Sequence, residues 1–236
     1  MNLILLTSAD VIDSHHRVRL SGRRHRHILE ILHAQKGDRL TVGLLNSKMG
    51  QAEVVAIDKN SVELEVNLEN NPPLALALTL ILALPRPQVV KRVLQSASSL
   101  GIKNIIFLNC FRVEKSLWQS STLRSEEIKE QLILGLEQAK DTILPDVLLR
   151  KSFTAFVEEE LPALIKGTLP VVAHPGSGQV CPRNVRQPVT LVIGPEGGLI
   201  DFELDRLRQM GFENVDLGER IYKVETVLPF LVGRLF

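Results

Sequence analysis

Apolar and polar residues follow two different patterns along the chain. Period-two apolar residues occur in short segments at 39–45 (RLTVGLL), 50–58 (GQAEVVAID) and 61–68 (SVELEVNL), with turn residues between them. This pattern predicts a small antiparallel barrel with one short helix around residues 25–32. From Leu74 onward, continuously apolar strands alternate with segments of helical spacing. That alternation predicts parallel βαβ units covered on both faces, and therefore an α/β fold.

A linker at residues 70–73 (NNPP) separates the two patterns, because its prolines enforce an extended backbone. We therefore expect a β-barrel domain over residues 1–73 and an α/β domain over residues 74–236. The strands expected in the second domain are 75–84, 104–109, 169–174, 190–193 and 214–217. The helices expected there are 89–100, 125–140, 153–165, 201–210 and a last one that runs to the C terminus.

Composition restricts the class of protein. With 236 residues, 44% of them hydrophobic, and a net charge of +1, the chain can bury a sizeable core and is not of the disordered or fibrous class. The longest apolar run, 74–84, is far shorter than the roughly 20 residues that span a membrane. No signal peptide is expected at the N terminus. The two cysteines, Cys110 and Cys181, lack ligand spacing, which indicates a reduced, cytoplasmic protein.

Arginine is concentrated near the N terminus, between residues 14 and 29, where no acidic residue occurs. Arginine suits bidentate contact with phosphate, so this cluster favours binding of a phosphate-bearing partner. The alternative is a solvated surface whose charge is balanced by acids elsewhere. Histidines in the same stretch lack metal-ligand spacing, and we predict no metal site. The candidate phosphate-binding residues, which the family resemblance described below implies to be RNA-binding, are Arg17, Arg19, Arg23, Arg24 and Arg26.

Three glycine-containing segments, 174–178, 194–198 and 217–220, each follow a predicted strand of the α/β domain. Ligands of open α/β folds bind beyond the carboxyl ends of the strands, and glycine lets the backbone approach them. The segment 194–198 (GPEGG) matches neither of the common phosphate-binding loops, and Glu196 would repel a phosphate. It favours a ligand with a neutral or cationic part, such as an adenine amine, a ribose hydroxyl or a sulfonium.

Residues 190–226 resemble the C-terminal signature of the RsmE-type small-subunit rRNA methyltransferases of the SPOUT superfamily. The residues that carry the resemblance are 193–198 (IGPEGG), 211–212 (GF), 217–218 (LG), 220–221 (RI) and 225–226 (ET). Residues 137–139 (EQA) with Pro145, and 27–29 (HIL) with 37–38 (GD), resemble the family's central and N-terminal stretches. The resemblance therefore covers nearly the whole chain.

The resemblance implies a PUA-like RNA-binding β-barrel followed by a SPOUT-type α/β domain with a C-terminal trefoil knot. It implies a cytoplasmic homodimer that uses S-adenosylmethionine (SAM) to methylate N3 of a specific uridine in 16S rRNA, within the small ribosomal subunit, with no membrane association. Two alternatives stay open: a SPOUT methyltransferase acting on another RNA position, and an RNA-binding protein whose SAM site has decayed.

Methylation of uridine N3 requires loss of the N3 proton and stabilisation of the anion at O2 and O4. We expect Arg220 to stabilise that anion, its alternative role being an ion pair with Glu219 or Glu225. Glu196 and Glu225 are the candidate bases, although either carboxylate can serve a structural role instead. The expected cofactor-binding residues are His174, Ile193, Gly194, Pro195, Glu196, Gly197, Gly198, Leu217, Gly218, Arg220, Ile221, Tyr222 and Thr226.

The chain departs from the family signature at three positions. Tyr222 and Lys223 replace the usual Leu-Arg pair, and Pro229 stands where the family more often has alanine. With Thr226 as the N-cap of the last helix, Pro229 falls in the first turn, where a missing N–H is tolerated. Outside the signature, Trp118 favours a packing role over base stacking. Arg112, Lys115 and Arg124 either extend a basic surface or are simply solvated.

Overall fold

The computed structural model describes residues 2–11, 16–176 and 178–236. The chain divides into two compact units. The first unit comprises Met1–Leu74 and Ile133–Leu144, and the second comprises Ala75–Leu132 and Pro145–Phe236. No helix in the described part of the chain has the length and apolar character needed to cross a membrane.

The first unit is built on a five-stranded sheet with the strand order β1-β3-β4-β5-β2. Its strands are β1 Ile4–Leu6, β2 Arg17–Leu20, β3 Arg39–Leu44, β4 Met49–Ile57 and β5 Val62–Asn70. The predicted strands β3 to β5 are confirmed and pair antiparallel, but β1 pairs with β3 in parallel. Sequence patterning misses β1 because its three residues are all buried and show no alternation. The predicted short helix is α1 Gly22–Arg26, continued by a π-helical turn at His27–Ile31.

The segment Ile133–Leu144 belongs to the first unit, although the sequence assigned it to the second domain. Leu136 is fully buried in one apolar cluster with Leu3 and Leu5. The backbone N–H groups of Asn2 and Leu3 both donate to the carbonyl oxygen of Glu137, at 2.9 and 3.0 Å. Patterning along the chain cannot reveal this because the contacting residues are more than a hundred positions apart.

The second unit contains a six-stranded sheet with the order β11-β9-β10-β6-β7-β8, in which every pair is parallel. Its strands are β6 Leu76–Ala83, β7 Ile102–Leu108, β8 Asp146–Arg150, β9 Leu169–Ala173, β10 Val189–Ile193 and β11 Glu213–Val215. The α/β prediction is confirmed. Strand β8 was not predicted, because it is a half-exposed edge strand without a continuous apolar run.

Helices lie between and after these strands along the chain. They are α2 Pro87–Ser99, α3 Ser125–Ala139, α4 Phe153–Ala155, α5 Leu161–Leu164, α6 Asp201–Gln209 and α7 Val224–Leu235. In α2, Val90, Val93, Leu94 and Ala97 recur at helical spacing and are buried. Burial of such side chains contributes about 1.5–3 kcal/mol each.

Helix α7 begins earlier than the sequence suggested. Its N-cap is Lys223 and not Thr226, so Pro229 is the sixth residue of the helix. The expectation that Pro229 lies in the first turn is wrong. A proline at this depth removes the hydrogen bond to the carbonyl of Glu225, four residues earlier. The helix nevertheless continues to Leu235, with Leu228, Leu231 and Leu235 buried.

Asp10 and Arg24 form a largely buried ion pair in the first unit. Arg24 Nη2 lies 2.6 Å from Asp10 Oδ1, and Arg24 Nη1 lies 2.7 Å from Asp10 Oδ2. The backbone N–H and hydroxyl of Thr7 also donate to Asp10 Oδ2. Burial alone would raise the pKa of Asp10, but the hydrogen bonds from Arg24 and Thr7 outweigh it and hold the pKa below 3.8.

We expect Asp10→Asn to lower the free energy of unfolding by about 2 kcal/mol near neutral pH, because it leaves Arg24 without its counter-charge. Since the folded-state pKa of Asp10 is lowered, its contribution is present above pH 3.8 and is lost as the pH falls through the folded-state value. Urea denaturation at about pH 7 and about pH 3 measures this difference. Glu53→Gln, at an exposed strand position, is the control; equal effects of the two variants would contradict the prediction.

Candidate functional site

A cavity of about 490 Å³ opens in the second unit at the carboxyl ends of β9, β10 and β11. The loops that follow these three strands are the glycine-containing segments singled out in the sequence. The structure brings together at this cavity the predicted residues His174, Ile193, Gly194, Pro195, Glu196, Gly197, Gly198, Leu217, Gly218, Arg220, Ile221 and Tyr222. Thr226 and Glu225 are not among the residues that line it. Ser177, within the first of the three segments, lies outside the described residues.

The loop at 194–198 needs its glycines for space and for backbone conformation. A Cβ atom on Gly194 would lie 3.0 Å from Cγ of Leu199, and one on Gly197 would lie 3.2 Å from Cδ of Arg112. Gly198 has a φ of +78° and donates its N–H to the carbonyl of Pro195 at 2.8 Å, which closes a tight turn. Glycine at these positions therefore allows the tight turn and the close approach of Leu199 and Arg112, and residues 194–198 all line the cavity.

Glu203 and Arg112 fix this loop, and neither was predicted to do so. The carboxylate of Glu203, 2% exposed, accepts the N–H of Ile200 at 3.0 Å and that of Phe111 at 2.8 Å. It therefore joins the start of α6 to the loop that follows β7. The guanidinium of Arg112 donates to the carbonyl of Gly197 and also lines the cavity. An acid in the first turn of a predicted helix is the only sequence signal for Glu203.

Burial and the adjacent Glu203 carboxylate raise the pKa of the Cys110 thiol well above its ordinary value. Cys110 is 3% exposed, and its thiol is neutral at physiological pH. A neutral, buried thiol is not a nucleophile. Cys110 is therefore a packing residue within the loop that follows β7.

Asp216 connects the other two loops of the cavity. Its Oδ2 accepts the N–H of Gly178 at 2.9 Å, and its Oδ1 accepts the N–H of Gly218 at 3.2 Å. Gly218 has a φ of +103°, which a residue with a side chain would adopt only with strain. Asp216 also lines the cavity, although the sequence pattern predicted it only as a residue inside the short strand 214–217.

The charged residues at the cavity differ in how they are paired. Glu196 is 46% exposed, and its Oε2 lies 3.4 Å from Nε of Arg86. Glu225, 19% exposed, pairs with Arg92 at 3.3 Å. Arg220 is exposed and forms no ion pair or hydrogen bond within the described chain, so the alternative pairing with Glu219 or Glu225 is not seen. Its charge is therefore available to a ligand.

His174 lines the cavity with a neutral imidazole. Burial lowers its pKa below 6.5, and the positive charge of Arg208 lowers it further, while Asp201 opposes the shift. At neutral pH the ring therefore offers one N–H donor and one acceptor nitrogen. Such a ring can contact a polar ligand without adding positive charge to the site.

Residues 72–235 match the family model of the RNA methyltransferase domain. The chain belongs to this family. Over 236 residues it is 29% identical to the ribosomal RNA small subunit methyltransferase E of Treponema pallidum, covering 96% of this chain and 87% of that protein. It is 23% identical to ribosomal RNA small subunit methyltransferase E 1 of Borreliella burgdorferi, covering 96% and 93%. The resemblance to RsmE-type enzymes is confirmed.

Solved structures of the methyltransferase family share the fold. A putative methyltransferase from Legionella pneumophila, with the bound cofactor SAM, aligns with a TM-score of 0.73 and 22% identity over 98% of this chain and 96% of that one. The ribosomal RNA small subunit methyltransferase E from Neisseria gonorrhoeae, bound to SAM, aligns with a TM-score of 0.72 and 21% identity over 98% and 95%. These matches confirm a methyltransferase-type α/β fold.

In this RNA methyltransferase, Tyr222, which stands where the family signature usually has leucine, makes an aromatic contact. The ring of Tyr222 stacks on that of Phe230 in α7, with 5.4 Å between the ring centroids and 23° between the planes. The side chain thus connects the cavity wall to the helix that follows it. Trp118 donates its indole N–H to Oδ1 of Asn109 at 2.8 Å, which agrees with the predicted packing role.

The N-terminal arginines of the methyltransferase are mostly engaged in ion pairs. Arg19 pairs with Glu63, Arg23 with Glu137, and Arg24 with Asp10. Burial raises the pKa of Glu137, which is 1% exposed, despite the opposing effect of Arg23. Arg17 and Arg26 are exposed. The sequence cannot show this pairing, because the partners of Arg19 and Arg23 lie in distant segments.

Proposed function

We propose that this protein is a SAM-dependent methyltransferase that methylates N3 of a specific uridine in 16S rRNA. The observation that carries the proposal is the glycine-walled cavity at the ends of β9, β10 and β11, in a chain that resembles small-subunit rRNA methyltransferases along 96% of its length. Structures of similar fold from Legionella pneumophila and Neisseria gonorrhoeae hold SAM, which supports the same cofactor for this chain.

The residues at the cavity fit SAM. Its volume of about 490 Å³ falls in the range of cofactor sites, and the backbone of residues 194–198 approaches closely enough to contact an adenosine. Ile193, Leu217 and Ile221 supply apolar walls, and the carboxylate of Asp216 adds negative charge to the lining, which suits a cationic ligand. SAM, when bound, supplies an electrophilic methyl group for the attacking nitrogen.

The chain's own residues then bind and activate the uridine. Arg220 lies at the cavity without an internal partner, and it stabilises negative charge at O2 or O4 as the N3 proton leaves. Of the two candidate bases, Glu196 is the better placed to take that proton, because it lines the cavity. Glu225 pairs with Arg92 away from the lining and positions α7. Holding the reacting atoms in line supplies a large part of the rate.

The wider assignment follows the family resemblance. We propose that residues 1–73 form a PUA-like RNA-binding barrel and residues 74–236 a SPOUT domain whose C-terminal part is knotted. The mixed five-stranded sheet and the exposed Arg17 and Arg26 support the first role. The proposal includes a homodimer in the cytoplasm and, as substrate, rRNA within the small ribosomal subunit.

The test uses small ribosomal subunits from cells that lack this protein. Purified protein and labelled SAM are added, and the digested rRNA is analysed by mass spectrometry. We expect 3-methyluridine, and no label on subunits already methylated in wild-type cells. Label on a ribose 2′-oxygen or on guanine N1 would instead identify another SPOUT activity. Binding of SAM without any label on the subunits would contradict the substrate assignment.

A further inference from the structure

Phe111 is an exposed aromatic residue on a tightly held loop. Its side chain is 78% exposed, although its backbone N–H donates to the buried carboxylate of Glu203 at 2.8 Å. Two further hydrogen bonds fix the same loop: the N–H of Asn109 donates to the carbonyl of Arg150 at 2.8 Å, and that of Val113 to the carbonyl of Cys110 at 3.0 Å. The loop therefore presents the phenyl ring to solvent in a defined position, where it adds little to the core.

Arg112, the next residue, connects this ring to the cavity. One of its Nη atoms donates to the carbonyl of Gly197, and the side chain lines the cavity. Phe111 does not itself line the cavity, but it directly precedes Arg112, and adjacent Cα atoms are about 3.8 Å apart. Within the described chain the other nitrogens of Arg112 have no partner, and up to four of its five N–H donors are open to a ligand.

The charge of the lining favours an anion beside Arg112. Arg220 and Lys223 line the cavity without an ion pair in the part of the chain that the structure describes. The two acidic residues of the lining are engaged: Glu196 with Arg86, and Asp216 with backbone N–H groups. Free cationic groups therefore outnumber free carboxylates at the cavity mouth.

We propose that Phe111 and Arg112 form a binding site for one unpaired nucleotide of the RNA substrate, next to the uridine that enters the cavity. The proposal rests on the proposed function. Unpaired bases stack on aromatic side chains, and arginine binds the adjoining phosphate. An enzyme that modifies the edge of a base must hold that nucleotide out of the base stack. The adjacent nucleotides thereby lose a stacking contact, which an aromatic side chain of the enzyme can replace. Phe111 supplies the stacking surface, and Arg112 binds the phosphate.

Steady-state methylation of unmethylated small subunits at saturating SAM tests this site. Because a base–aromatic stack contributes about 1–3 kcal/mol, we expect Phe111→Ala to raise the KM for subunits about tenfold while kcat stays within about twofold. Phe111→Trp preserves a stacking surface and should restore the KM. Phe202→Ala is the matched control, since Phe202 is 55% exposed in the same unit and does not line the cavity. Calorimetry should give an unchanged Kd for SAM in all three variants.

A second readout separates failure of this site from failure of the proposed function. Binding of a fluorescent single-stranded oligouridylate of about 12 nucleotides is measured by anisotropy with S-adenosylhomocysteine present. We expect Phe111→Ala to weaken it about tenfold. If the wild-type protein methylates subunits but neither readout changes with Phe111→Ala, the site is wrong and the function stands. If it methylates nothing yet Phe111→Ala weakens binding, the function is wrong and the site stands. No methylation and no binding by the wild-type protein would overturn both.

Discussion

Arg220→Ala should lower kcat/KM for rRNA methylation about 100- to 1000-fold, the usual cost of removing a group that stabilises charge in the transition state. Negative charge develops on the uracil oxygens only as the N3 proton leaves, so the loss should appear mainly in kcat. Because Arg220 forms no ion pair within the described chain, its removal leaves no carboxylate unpaired, and the thermal unfolding temperature should not change. Single-turnover methylation of unmethylated subunits measures the effect.

Two variants make the Arg220 result specific. Arg186→Ala removes an exposed arginine of the same unit that does not line the cavity, and it should leave kcat/KM unchanged. Arg220→Lys retains the charge without the bidentate geometry, and it should recover part of the rate. A rate for Arg220→Ala within about threefold of the wild type would rule out a role in charge stabilisation.

Gly194→Val should raise the Kd for SAM about 100-fold. A Cβ atom at this position lies 3.0 Å from Cγ and 3.4 Å from the backbone nitrogen of Leu199, and valine adds two methyl groups beyond it. Such overpacking costs about 1–3 kcal/mol, and its relief displaces Leu199 or the loop at 194–198, both of which line the cavity. Isothermal calorimetry measures the affinity, and far-UV circular dichroism reports whether the fold is retained.

Gly233→Val is the matched control for the Gly194 variant. Gly233 lies in α7, where an added Cβ meets nothing within 4 Å, and it does not line the cavity. It should bind SAM with wild-type affinity and without loss of helix stability, because valine has a higher helix propensity than glycine. Equal affinities of the Gly194→Val and Gly233→Val proteins would show that the close approach at 194–198 is not needed for the cofactor.

The sequence predicts those parts of the fold whose signal is local. Strands β6 and β7 contain uninterrupted apolar stretches at 80–83 and 105–108, and α2 has buried residues at helical spacing, so both types of element follow from short-range pattern. The loops at 194–198 and 217–220 are predictable as ligand-binding loops because each places glycine directly after a predicted strand, where glycine lets the backbone approach a ligand. Strand β8 lacks such a signal, since it is a half-exposed edge strand.

The groups that hold the site together are not predictable from sequence, because they act over long separations. Glu203 bonds a backbone N–H group 92 positions away, and nothing near Phe111 indicates that contact. The arginine cluster illustrates the same limit from the side of composition. Its local composition favours phosphate binding, yet Arg23 and Arg24 neutralise Glu137 and Asp10 inside the first unit. Composition reports which charges are present, whereas only the fold determines where their partners lie.

The hydrogen bonds of Asp216 have a consequence for the thermodynamics of cofactor binding. One carboxylate accepts N–H groups from the loops after β9 and after β11, so each loop restrains the other through a single rigid side chain. The entropy cost of ordering two walls of the cavity is therefore incurred when the protein folds, and not when a ligand binds. A ligand that enters meets a preorganised enclosure, and more of its contact energy is left to appear as affinity.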